Sequence, residues 1–236
     1  MNRFYQNDVT HTQGLEFDGR FRTYMATVYG NMSLGLLLTA ITSYVVALSP
    51  QMMNYIFKTP LFYVVMFAPL GMAIYYSLKW QQLKVETAQG LFFLYAFMIG
   101  LSMASIFIVY TGESIARVFL ITSSMFGATS LYGYATKRDL TGMGSFMMMG
   151  LFGLVIAMVI NIFLQSSGLQ MMLSFLAVVI FTALTAYDVQ RLKNIYYQVT
   201  DQEMLGKVAM MGAFILYLDF INLFVHLLHL FGNRRS

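Results

Sequence analysis

The chain has 236 residues, of which 58% are hydrophobic and only 10% charged, with a net charge of +4 and no cysteine. A soluble domain carries roughly 25% charged residues, so this composition excludes an ordinary soluble fold. The absence of cysteine excludes disulfides, thiolate catalysis and cysteine-based metal sites.

Residues 1–22 are polar and mixed in charge, and read as a cytoplasmic N-terminal tail ending in a basic anchor, Arg20 and Arg22. A membrane-crossing helix needs about 20 mainly apolar residues. Seven stretches reach that length: 23–48, 59–78, 87–110, 114–135, 143–164, 169–189 and 209–231. The first follows a polar segment, is too long for a signal h-region and lacks a clear small-x-small cleavage site, so it reads as a span and not as a signal peptide. Short connections predict antiparallel neighbours. The longest connection, "RLKNIYYQVTDQEMLGK" at 191–207, is amphipathic enough to extend the sixth helix or to lie at the interface. Residues 23–232 thus form one seven-helix membrane domain, an all-α bundle, and 233–236 a short C-terminal tail.

Cytoplasmic loops carry the excess of lysine and arginine. With the N-terminus inside, the inner segments hold Arg3, Arg20, Arg22, Lys79, Lys84, Lys137, Arg138, Arg191, Lys193 and Lys207; the outer ones hold Lys58, Arg117, Arg234 and Arg235. This orientation is therefore expected, and the positive charge is a topology signal that implies no nucleic-acid partner. Small residues four apart, as in Ala26/Gly30, Gly100/Ala104 and Gly153/Ala157, would let helices approach closely.

Eight of the ten acidic residues fall in tails or loops; Asp188 and Asp219 fall within spans. An aspartate at the centre of a membrane helix costs roughly 2.5–3.5 kcal/mol on insertion scales and faces the bundle interior or a water-filled cavity. Asp219, in "ILYLDFINLF", bears that cost. Asp188, in "TAYDVQRLK", lies nearer the inner end of its span with Arg191 three residues on, a spacing that allows a local ion pair. At 1.5 Å per residue the two aspartates differ in depth by roughly ten ångströms, so spacing alone does not bring them together. Were they to meet, two carboxylates in a dehydrated site could not both ionise cheaply. The pair would hold one proton at moderate pH and lose it as pH climbs, and it could make transient contact with Ca²⁺, which prefers carboxylate oxygens.

Helical spacing puts Asn222 and His226 on roughly the face of Asp219, with His229 a turn further, a polar stripe able to line a water path. A zinc site from Asp219, His226 and His229 is a disfavoured alternative, since histidines three apart are common without metal. His11 lies in the tail. The last span has no lysine for a retinal Schiff base. One aspartate on each of the last two spans suits an intramembrane aspartyl protease, but "LYLD" stands where G-x-G-D is required. No serine-nucleophile turn or phosphate-binding glycine loop occurs either, so no enzyme is expected.

"LYLDFINLFVHLLHLFG" (216–232) and "TAYDVQRLKNIYY" (185–197), with "VYGNMSLGLLLTAITSYVVA" in the first span, resemble the Bax inhibitor-1 family, whose bacterial members are also called YccA-like. The resemblance covers nearly the whole chain. It implies seven helices with the last one central, a paired pH-sensitive site at Asp188 and Asp219, and a bacterial inner-membrane location. It further implies a pH-dependent cation leak, of calcium above all, with no tightly bound cofactor. In related leak proteins a basic residue at the inner end of the second span pairs with an aspartate. Here "YYSLKWQQLK" offers Lys79 and no arginine, with Arg191 as the other counter-charge. Some relatives also place a glutamate in the second span, where "FAPLGMAIYY" has none. Another branch of the family is associated with modulating a membrane-embedded AAA protease, which makes a non-conducting regulator the alternative reading.

Overall fold

In hydrocarbon every backbone N–H and C=O must be bonded within its own segment, so long apolar runs become helices. The computed structural model describes residues 2–235, with side chains from residue 19 on; the side chains of the tail read over 1–22 fall mostly outside them, as does that of His11. The helices are α1 (Asn2–Leu48), α2 (Pro50–Phe57), α3 (Leu61–Lys79), α4 (Val85–Met103), α5 (Ile106–Val109), α6 (Gly112–Ala135), α7 (Thr141–Leu164), α8 (Ser167–Gln198) and α9 (Gln202–Phe231). Seven segments are long and apolar enough to cross a membrane, and no strand occurs among the described residues.

The expected spans are recovered, with three local departures. Residues 50–57 form a short helix, because Ser49 caps it through a bond from the Met52 N–H (3.3 Å) and Pro50 fits the first turn, where no N–H is needed. The third span breaks between α4 and α5, where Ser105 turns its hydroxyl onto the Ser102 carbonyl (3.0 Å). The 191–207 connection is almost wholly helical: α8 runs on to Gln198, and Asp201 caps α9 by accepting from the Met204 N–H at 2.8 Å. Leu192 and Tyr196 explain the extension, since both are buried, against Tyr24 in part.

α9 is the central helix. The most hydrophobic stretch of its span is 67% buried, against 11–44% for the other six. It packs on α8, α1, α6 and α4, while α3 packs chiefly on α4 and α7 on α8. Phe214 and Tyr217 of α9 anchor an aromatic core with Tyr76, Phe92 and Tyr95. Of the expected small-residue contacts, Gly100 does meet α1, where an added Cβ would lie 2.7 Å from Thr42 Cβ. Gly30 and Gly153 face open space instead. The tightest approach is elsewhere: a Cβ on Gly133 of α6 would lie 2.3 Å from the Ala186 carbonyl oxygen of α8.

Opposite the N-terminal end of the bundle, the C-terminal segment closes onto the α5–α6 junction. The Thr111 N–H donates to the Asn233 carbonyl (3.1 Å) and the Arg235 N–H to the Val109 carbonyl (2.9 Å).

Candidate functional site

Asp188 of α8 and Asp219 of α9 meet. Their carboxyl groups lie within hydrogen-bonding reach of each other. They are 8% and 5% exposed, and no backbone or neutral side-chain donor reaches the buried Oδ2 of Asp219. The depth difference expected from residue counts is absent because α8 and α9 run antiparallel in a shared register. Seven residues beyond Asp219, His226 stacks on Phe181, which stands seven residues before Asp188 (centroids 6.4 Å, planes 15° apart). On the other side Gly212 lets Leu192 pack directly against the α9 backbone. Gly133 adds a third wall, bringing α6 against α8 two residues before Asp188.

Arg191 stands near enough to Asp188 to act on it electrostatically, but its side chain is exposed and forms no ion pair. The one ion pair among the described residues is Lys207–Glu203. Lys79 is not brought to the aspartates: exposed at the end of peripheral α3, its ammonium donates to Gln82 Oε1 (3.2 Å). Of the two expected counter-charges only Arg191 remains near.

The polar stripe does continue from the pair. Asn222 is half-buried, with its amide donating to the Leu218 carbonyl (2.8 Å). His226 is buried, its Nδ1 has no partner, and its ring meets that of His229 edge-on (5.9 Å). His229 opens into a cavity of about 550 Å³ between α5, α8 and the C-terminal segment, lined also by Ser174, Gln170 and Arg234. The zinc alternative finds no support: among the described residues no three His, Asp or Glu side chains come together as a metal site. Two carboxylates fall short of the about six to eight oxygens that hold Ca²⁺, so the pair by itself does not make a resident Ca²⁺ site.

Sequence reasoning missed Gln190, which is buried and ties α8 to the 136–140 loop: its Oε1 accepts from the Leu140 N–H (2.8 Å) and its Nε2 donates to the Arg138 carbonyl (2.7 Å). A glutamine two residues past a membrane aspartate was the available signal.

A family model described as Inhibitor of apoptosis-promoting Bax1 matches residues 21–236, which takes in both aspartates and all the spans. The chain belongs to the Bax inhibitor-1 family. It is 46% identical to the Rickettsia prowazekii protein RP147 over 96% of each chain. It is 45% identical to the inner membrane protein YbhL of Escherichia coli over the full length of both, and 40% identical to a Borreliella burgdorferi protein over 90% of this chain and 93% of that one. With seven spans and this kinship, the protein is an integral protein of the bacterial inner membrane.

Proposed function

We propose that this Bax inhibitor-1 family protein is a pH-sensitive cation leak, with Ca²⁺ as the permeant ion, gated by Asp188 and Asp219. The observation that carries this reading is the contact of two buried carboxyl groups between the central helix and α8, continued by a polar stripe into an end cavity.

The physical logic runs through charge. Two carboxylates in contact within a bilayer repel and are poorly solvated, so the packed arrangement requires a shared proton. With that proton the α8–α9 contact is favourable and the path is closed. Without it, like charges across the contact favour separation of the two helices. The opened site then offers hard oxygen ligands to a dication, and Asn222 and His226 extend a wettable path toward the cavity at His229. Arg191 softens the charge on Asp188 and tunes the pH at which the latch opens. Ca²⁺ here is cargo, held in transit and not as a cofactor.

The test is Ca²⁺ entry into proteoliposomes containing the purified protein against protein-free vesicles, at about pH 6 and about pH 8, which bracket a shared-proton equilibrium. Protein-dependent entry that grows with pH supports the leak. Entry no greater than in empty vesicles rejects conduction and turns attention to association with a membrane-embedded AAA protease.

A further inference from the structure

α1 and α6 do not close against each other over the central helix. Between them runs a slot lined by Met32, Ser33 and Leu36 of α1 and by Phe126, Gly127 and Tyr134 of α6, with Phe220 of α9 as its floor. This part encloses about 830 Å³, within the range of ligand-sized cavities. A second cavity of about 640 Å³ continues it toward the C-terminal end of the bundle, sharing Leu36, Ala40, Phe119 and Phe220. Together they reach from Tyr134 to Gly112, which along α6 is about 33 Å, the thickness of a bilayer core. Phe220, Ile221 and Phe224 of the central helix therefore face this seam.

The chemistry of the two ends differs. At the N-terminal end Lys193 donates to the Tyr134 carbonyl (2.9 Å) and sits over the Tyr134 ring (5.4 Å). Phe21 stacks on the same ring at 5.8 Å, which holds its neighbour Arg22 at this end, and Lys137 follows Tyr134 by three residues, just past the end of α6. None of these three cations forms an ion pair among the described residues. An apolar slot ending in unneutralised cations at the membrane surface matches one kind of molecule: an acyl chain carrying an anionic headgroup.

We infer that the α1–α6 slot is a seat for a single anionic phospholipid, its acyl chain against Phe220 and its phosphate at Lys193. The inference is independent of ion conduction. Gly127 is what leaves room for the chain: a Cβ there meets nothing within 4 Å, so a larger side chain projects into the slot without displacing a neighbour.

The test is native mass spectrometry of the full-length protein in detergent, with phosphatidylglycerol and phosphatidylethanolamine of identical acyl chains. The wild type is expected to retain one lipid per chain and to prefer phosphatidylglycerol. Gly127→Leu should lower retention by about tenfold, while Gly127→Ala, which adds a methyl group only, keeps it. Lys193→Gln should abolish the headgroup preference. Equal retention by wild type and Gly127→Leu, or retention without headgroup preference in the wild type, overturns the inference. So does a wild-type species of two chains that Gly127→Leu dissolves, because a second copy then fills the slot.

Discussion

Tyr217 and Thr39 share a hydroxyl–hydroxyl bond of 2.6 Å in the middle of the bundle, and both are buried. Thr39 also donates to the Ala96 carbonyl (2.8 Å), so its own proton is spent and the Tyr217 hydroxyl must be the donor between them. One bond chain thus ties α9 to α1 and α4, two residues before Asp219. Removing the donor and removing the acceptor should then differ. Tyr217→Phe loses one bond but leaves Thr39 paired, at about 0.5–1.5 kcal/mol; Thr39→Val strands the Tyr217 hydroxyl and costs about 1–3 kcal/mol. Thermal unfolding in detergent, followed by helical signal, should rank wild type above Tyr217→Phe and Tyr217→Phe above Thr39→Val.

Gly133 and Gly127 occupy the same helix and look alike in sequence, yet alanine should act on them in opposite senses. A Cβ at Gly133 would lie 2.3 Å from the Ala186 carbonyl oxygen, a backbone atom that cannot swing aside. Gly133→Ala should cost about 1–3 kcal/mol, as overpacking does. At Gly127 the space is open, and alanine there should be neutral or stabilise by up to about 1 kcal/mol through helix propensity. Equal melting temperatures for the two variants would contradict the α6–α8 contact.

Gln190 holds the 136–140 loop by two bonds, one as acceptor and one as donor. Gln190→Leu keeps the volume but leaves the buried Leu140 N–H and the Arg138 carbonyl unpaired, at about 1–3 kcal/mol. Hydrogen exchange at Leu140 should accelerate in this variant before the transmembrane helices show any change.

Asp139 accepts from both the N–H and the hydroxyl of Thr141 (2.9 and 2.6 Å), and these bonds hold its carboxyl below the usual range. A depressed folded value means that the contribution is fully present above about pH 4, near the unfolded value, and is lost as pH falls through the folded one. Thr141→Ala should return the Asp139 titration, followed by carboxyl NMR shifts, toward its ordinary value.

The spans were legible because a run of some twenty apolar residues has one outcome in a bilayer, and Asp219 was legible because nothing else in its run is charged. Its contact with Asp188 was implied by the family resemblance and not by the spacing. Counting residues along straight, independent helices misses the register between them, which is set by contacts such as Gly212–Leu192 and His226–Phe181. The helical course of 191–198 hinged on Leu192 and Tyr196 being buried, a tertiary fact that local polarity hides. Lys79 was named from the family resemblance, as the basic residue at the inner end of the second span; that position does not tell that α3 sits at the periphery, packed on α4. The central position of the last helix followed from the family resemblance, and its burial agrees.

The most direct measurement of the account is Ca²⁺ flux as a function of pH in proteoliposomes for wild type, Asp188→Asn, Asp219→Asn and the double variant. If the two carboxyl groups act as one proton-sharing latch, each single substitution should remove the pH dependence, and the double variant should add nothing to either. If either single variant keeps the wild-type pH profile, or the two effects simply add, the aspartates are not a unit and another group senses the pH.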